Sequence, residues 1–243
     1  MLILNIHSYD KGSIYDKGSI HNSGGTKEMK LYIVRHGETD WNKSRKVQGF
    51  SDIPLNEYGV YLAEETAKGL CDVAFDLAYT SPLIRAKKTA EVILKDRQVR
   101  LLDEPAIKEM GFGVYEGMCI SGKEKAKESE DFNRFFTDTA HFIPAEGGET
   151  VEGLLDRTGA FLQQLCVSEE LADQTILVST HGAAMTALVN HVKGNLEIVD
   201  FWKEGVPPNC AVTLVEVVDK KPSIIFENKV YYKEAVRAWT VDE

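Results

Sequence analysis

The stretch Leu31-Tyr32-Ile33-Val34-Arg35-His36-Gly37-Glu38-Thr39 decides the fold. Its first four residues form a short apolar and aromatic run, as in a strand buried on both faces. The next five turn abruptly to charge, imidazole and glycine. The same grammar returns far downstream, where Ile176 to Ser179 reads as a strand and His181-Gly182 follows it. Between the two, Asn56 to Leu70 has helical periodicity and Phe75 to Thr80 reads as another strand. Ser81-Pro82 predicts a helix start, running to about Leu94, because serine caps and proline fits the first helical position. A short strand is expected at Val99 to Leu102. Thr150 to Cys166 places Val151, Leu154, Leu155, Thr158, Phe161, Leu162 and Leu165 at helical spacing. Ala183 to Val192 reads as a helix. Ala211 to Val218 and Ile224 to Lys229 read as closing strands around the turn Asp219-Lys220-Lys221-Pro222. Strands alternating with helices predict an α/β three-layer sandwich, a mostly parallel central sheet with helices on both faces. Ligands in such sheets collect at the carboxyl ends of the strands, where both histidines fall.

The first 28 residues are unlike the rest. Tyr9-Asp10-Lys11-Gly12-Ser13-Ile14 is repeated at Tyr15 to Ile20, and a Ser-Gly-Gly stretch ends at Thr26. Two six-residue copies are too few for a solenoid, so residues 1–28 are taken as an N-terminal extension and residues 29–243 as the domain. The whole chain has 243 residues, 43% hydrophobic and 27% charged, with a net charge of −10. That acidity, without a basic run, argues against a nucleic-acid or anionic-membrane partner. No segment approaches the ~20 apolar residues of a membrane span. Cys71, Cys119, Cys166 and Cys210 are widely spaced with no C-x-x-C pair, which fits reduced thiols and a cytoplasmic location. No H-E-x-x-H, paired-Asp motif or cysteine cluster suggests a metal site, and no P-loop is present.

An acidic protein that handles phosphate esters must concentrate its positive charge locally. Arg35 adjoins His36, and Arg85 lies one turn into the helix expected from Ser81. Two arginines and two histidines at one sheet rim would suit a tetrahedral dianion, since guanidinium forks match phosphate oxygens. Taken singly, a histidine at a strand end is more often a packed residue and Arg85 a helix-surface charge. The combination changes that reading.

Residues Leu31 to Asn42 resemble the signature of the phosphoglycerate-mutase-like branch of the histidine phosphatase superfamily. Further blocks agree in order: Gln48-Gly49-x-x-Asp52-x-Pro54-Leu55, then Ser81-Pro82-Leu83-x-Arg85-Ala86-x-x-Thr89-Ala90, then Glu109-x-x-Phe112-Gly113-x-x-Glu116-Gly117, then Gly148-Glu149-Thr150 and His181-Gly182. The resemblance runs from about Met29 to His191. It implies His36 as nucleophile and Arg35, Asn42, Arg85 and His181 as holders of the phosphoryl oxygens. It makes Glu109 the proton donor and later the base that activates water, with Gln48, Gly49 and Gly182 shaping the substrate site. No metal and no cofactor are implied. Glu38 and Glu116 are read as loop-holding carboxylates, Glu149 as orienting the loop near its helix start, and His141 and His191 as structural or surface residues.

The resemblance also separates hydrolysis from isomerisation. Cofactor-dependent mutases carry a basic residue after the acid and an Arg-Arg pair in a longer insertion; here Met110 follows Glu109 and no Arg-Arg pair occurs. Residues 119–146 hold four basic side chains (Lys123, Lys125, Lys127, Arg134) against six acidic ones, a poor cradle for a second phosphate. This segment is expected to form a small helical lid, with Phe132, Phe135, Phe136 and Phe142 packing it down or, in a sharper reading, one or two of them instead lining the substrate site and favouring an apolar or aromatic leaving group. The expected function is hydrolysis of a small phosphorylated metabolite through a phosphohistidine. A phosphoglycerate mutase is the alternative, and an inactive phospho-ligand-binding module a more distant one. The sequence sets neither the substrate nor the oligomeric state, and assigns no role after about Asn195.

Overall fold

The computed structural model describes residues 27–233. The tandem hexapeptide and the Ser-Gly-Gly stretch lie outside the described residues. Six strands, β1 (Glu28–Arg35), β2 (Leu77–Thr80), β3 (Arg100–Asp103), β4 (Thr175–Thr180), β5 (Val212–Val218) and β6 (Lys221–Lys229), form one sheet in the order β3-β2-β4-β1-β5-β6. The first four in that order run parallel, and β5 and β6 close one edge antiparallel.

Strand periodicity sorts the core into two layers. Leu31, Ile33, Ile176 and Val178 pack with Phe161, Leu162 and Leu165 of α5 (Val151–Val167) and with Met185 and Leu188 of α6 (Gly182–Lys193). Val34, Ala78 and Leu177 turn the other way, onto Leu70 and onto Ala90 and Ile93 of α3 (Ile84–Ile93), beside α2 (Glu57–Gly69). A third apolar cluster joins Phe132 and Phe135 of α4 (Ser129–Thr137) to Met110, Phe112, Leu154, Ala184 and Phe201. A four-residue helix, α1 (Asp40–Lys43), follows the strand that opens the sheet. The three-layer α/β architecture is thus the expected one.

Local chemistry sets the boundaries. Asn56 caps α2 through Gly59 N, Thr150 caps α5 through Gly153 N, and Gly194 ends α6 at φ 68. Two expectations are corrected. The helix expected from Ser81 begins at Ile84, with Leu83 at its N-cap, while the Ser81 hydroxyl accepts from Leu83 N at 3.3 Å and meets His181 Nε2 at 2.7 Å. The closing turn is shorter than four residues: Asp219 and Lys220 both take left-handed φ, at 50 and 66, the geometry of a two-residue hairpin turn. Lys221 and Pro222 already belong to β6, where proline is tolerated because the strand is an edge. Among the described residues no helix is long and apolar enough to cross a membrane.

Candidate active site

Parallel register builds the centre of the site. Arg35 pairs with Thr180 across β1 and β4, and His36 N donates to Thr180 O at 2.9 Å. His36 and His181 therefore leave adjacent strands at the same height, and their rings lie 5.1 Å apart. The His36 carbonyl accepts from Asn209 Nδ2 at 3.0 Å and from Cys210 N at 3.3 Å, and Gly37 N donates to Thr89 Oγ1 at 3.0 Å. Glycine is required at 37: a Cβ there would stand 2.4 Å from the Gly59 carbonyl oxygen.

The ring of His36 is set by one bond. Nδ1 lies 2.7 Å from Gly37 O; a carbonyl can only accept, so Nδ1 carries the proton and Nε2 keeps its lone pair. Burial, then Arg85, then Arg35, hold the imidazole well below its ordinary pKa, so it is neutral at neutral pH. Burial and Arg85 lead the same effect on His181, with His36 and Arg35 adding to it. The Ser81 hydroxyl accepts from Leu83 N at 3.3 Å and lies 2.7 Å from His181 Nε2, which orients that ring.

Both arginines are buried, at 8% and 0% exposure, yet neither forms an ion pair among the described residues. Arg35 Nη1 donates to Pro207 O. Arg85 Nη1 and Nη2 donate to Ser51 O and Gly49 O, each at 2.8 Å. Burial pulls both guanidiniums down, Arg85 to about 10, with Glu109 opposing the shift in each. Arg35 Nε, Arg85 Nε and His181 Nδ1 are buried with no protein partner among the described residues. Buried polar atoms without a protein partner are the kind that an anionic ligand can satisfy.

Glu109 reaches the start of α6. Its Oε1 accepts from Met110 N at 3.1 Å, Ala183 N at 3.1 Å and Ala184 N at 3.2 Å, placing the carboxylate at the positive end of the helix. A Cβ at Gly182 would meet both Glu109 Oε2 and Arg35 Nε at 3.6 Å, so both groups lie against that glycine. Arg157 clamps the acid's loop: it donates to Ala106 O, Lys108 O and Glu109 O, and its Nε and Nη2 hold Glu149 at 2.7 and 2.8 Å. Glu149 also accepts from Gly111 N.

The remaining carboxylates hold loops, as read from the sequence. Glu116 accepts from Phe50 N, Ser51 N, Ser51 Oγ and Phe112 N. Glu38 accepts from Asn56 Nδ2. Thr39 joins Asn42 in a capping box and donates to Gln48 Oε1 at 2.9 Å. His141 is exposed beside Asp138, while His191 Nε2 meets Leu155 O at 2.7 Å. Among the described residues no three His, Cys, Asp or Glu side chains are grouped to ligate a metal.

A single pocket gathers these parts. Arg35, His36, Asn42, Gln48, Gly49, Arg85, Glu109 and Gly182 all line it, and His181 stands behind His36. The model of the histidine phosphatase superfamily, branch 1, matches residues 31–229. The chain belongs to that superfamily. It is 37% identical to the uncharacterized phosphatase PhoE of Bacillus subtilis, over 67% of this chain and 76% of that one. To the adenosylcobalamin/alpha-ribazole phosphatase of Escherichia coli it is 32% identical, over 75% and 87%. The solved structure of Bacillus stearothermophilus YhfR superposes with a TM-score of 0.72 at 27% identity, covering 83% of this chain and 98% of that one.

Within this histidine phosphatase several contributors escaped the sequence reading. Ser81 positions His181, Thr89 holds Gly37, Arg157 clamps the acid loop, and Asn209 holds His36. Lys46, Ile120, Trp202 and Val206 complete the pocket wall beside Phe132, Phe135 and Phe136. Phe142 packs on Phe132 and Phe135 without lining the pocket. The segment after Asn195, to which no role was assigned, thus supplies Trp202, Val206, Pro207 and Asn209. An adjacent Phe201-Trp202 pair was the one available signal.

Proposed function

We propose that this hydrolase of the histidine phosphatase superfamily cleaves a small phosphomonoester through a phosphohistidine on His36. The observation that carries the reading is the in-register histidine pair, with His36 Nε2 left as a lone pair in a pocket that two buried arginines also line. His36 Nε2 attacks phosphorus as the bond to the ester oxygen breaks, and Glu109, protonated in that step, gives its proton to the leaving oxygen. Water then attacks the phosphohistidine while Glu109 takes its proton back, releasing inorganic phosphate and restoring the imidazole. In this reading Arg35, Arg85 and His181 hold the non-bridging oxygens, with Asn42, Gln48 and Gly49 shaping the loop around them. Phosphoryl transfer depends on such positioning and charge stabilisation, and the covalent stage divides one hard displacement into two.

Hydrolysis is favoured over isomerisation by the wall. Among the described residues, Lys46 is the only cation lining the pocket beyond Arg35 and Arg85, and the upper side is aromatic. A second phosphate would find little charge to meet. Residues 119–146 are assigned as the lid over this pocket, and the names carried by the Bacillus subtilis and Escherichia coli relatives support a phosphatase.

The test is phosphate release in EDTA from a panel of phosphomonoesters, including an aryl phosphate and 3-phosphoglycerate, for wild type and His36→Ala. Isomerisation of 3-phosphoglycerate is followed in parallel, with and without 2,3-bisphosphoglycerate. Turnover should survive chelation and fall about 10⁴-fold or more in the variant, as expected for losing a nucleophile. Cofactor-dependent isomerisation without hydrolysis would make the protein a mutase, and silence throughout a binding module.

A further inference from the structure

The floor of the pocket accounts for the phosphoryl group, but its upper wall has chemistry of its own. Phe132, Phe135, Phe136, Ile120, Val206 and Trp202 form it. Trp202 packs against Phe136 at 5.3 Å with planes tilted by 38°, and meets the Phe135 ring edge-on at 5.3 Å. Such a wall favours a flat, apolar leaving group, because aromatic faces and edges are its complement. One atom departs from that character. Trp202 Nε1 is buried and has no protein partner among the described residues. An indole N–H is a donor only, and a buried donor without an acceptor is costly. The three other unpaired buried nitrogens of the described residues belong to Arg35, Arg85 and His181, at the phosphoryl end.

We infer that Trp202 sets specificity, and that the leaving group is an aromatic or heteroaromatic ring carrying a hydrogen-bond acceptor that meets the indole N–H. This rests on the reading of the pocket as the phosphomonoester site, and it names the class of alcohol released there. The ring stacks among Phe132, Phe136 and Trp202, its ester oxygen faces Glu109, and its acceptor faces Trp202 Nε1. A carbocyclic ring of the same shape leaves that N–H unpaired and binds more weakly. A site built around a hydrogen bond rejects the analogue that lacks it more strongly than a purely apolar site does.

The experiment measures binding rather than turnover, so it stands apart from the hydrolase reading. Methylphosphonate, benzylphosphonate and the three isomeric pyridylmethylphosphonates, whose C–P bond resists hydrolysis, are titrated calorimetrically at about pH 8, where pyridine is uncharged. Benzylphosphonate should bind wild type more tightly than methylphosphonate. At least one pyridyl isomer should gain roughly a further tenfold, the typical worth of one desolvated hydrogen bond. In Trp202→Phe, which keeps a ring and removes the N–H, that gain should vanish while benzylphosphonate affinity moves less than about threefold. If no pyridyl isomer outbinds benzylphosphonate in wild type, the inference fails, and that comparison needs no folded variant. It fails equally if the gain persists in Trp202→Phe, which would assign the N–H to the face of a neighbouring phenylalanine. Aromatic phosphonates that bind no better than methylphosphonate would remove the stacking wall as well. Binding as expected, combined with no phosphate release from any ester, would sink the hydrolase reading alone.

Discussion

The floor and the wall of the pocket are held by different physics. On the floor, directional bonds hold the polar groups: Gly37 O for His36, Pro207 O for Arg35, Ser51 O and Gly49 O for Arg85, the first amides of α6 for Glu109, and the Ser81 hydroxyl for His181. Such directional bonds set tautomers and orientations in advance, as charge-stabilising catalysis requires. On the wall, Phe132 meets Phe112, Tyr115, Phe136 and Phe142 through ring contacts between 5.1 and 6.1 Å, with no carbonyl fixing any ring. Rings held by volume alone can be exchanged for others of similar size. On the proposed reading, chemistry sits where directional bonds fix each group, and selectivity where packing leaves room to vary.

The sharpest way to break that division is to change the floor without touching its geometry. Glu109→Gln keeps an amide oxygen able to accept from Ala183 N and Ala184 N, so stability should stay close to wild type. The ability to protonate the leaving oxygen is lost, and kcat for an alkyl phosphate should drop roughly 10²- to 10⁴-fold. An aryl ester with an acidic leaving group needs less help and should lose much less. Equal losses on the two esters would remove Glu109 from the acid role. The converse substitution is Phe132→Ala. Phe132 is 1% exposed at the centre of the ring cluster, so truncation should cost about 3 kcal/mol or more of stability, read from the shift in denaturation midpoint. Turnover of the smallest ester, measured where the variant is still folded, should stay within about tenfold of wild type, because no floor partner has changed. A variant with unchanged stability and lost turnover would reverse the assignment of the two regions.

The same division explains what could be read in advance. The floor was legible because its residues travel in contiguous blocks: a buried strand ending in Arg35-His36-Gly37, another ending in Thr180-His181-Gly182, and glycines at close backbone approaches. Ser81 looks in the sequence like a helix cap, and its hydroxyl does accept from Leu83 N; only the fold shows that the same hydroxyl also meets His181. The wall resisted reading because it is assembled from afar: Trp202 joins Phe135 and Phe136 from a connection with no periodicity and no motif. Helical spacing brought the α4 phenylalanines into view as a packing face, but which of them border the pocket depends on where α6 and the following loop place Trp202 and Val206.

The smallest expected effect is a pH dependence that should divide catalysis from stability. His36 and His181 are buried as neutral imidazoles, with pKa values pushed well below 6.5, first by burial and then by the neighbouring guanidinium of Arg85. Between 6.5 and the depressed folded value the unfolded chain binds a proton that the folded chain refuses. Stability therefore rises with pH through that window and falls as the solution is acidified below 6.5, by up to about 1.4 kcal/mol per pH unit for each histidine. Catalysis should respond in the opposite sense to ordinary imidazole chemistry: His36 keeps its lone pair below pH 6.5, so kcat/KM should show no acid limb centred there. Denaturation midpoints at pH 7, 6 and 5 should decline in wild type and decline about half as steeply in His36→Gln, where one of the two refusing groups is gone. Parallel slopes in the two proteins would mean that His36 takes up its proton in the folded state, and a kcat/KM limb at 6.5 should then appear with it. A shallower slope in the variant, with activity persisting in wild type at pH 5.5, would tie the neutral imidazole to both its burial and its work, since one desolvated ring accounts for the loss of stability and the readiness to attack.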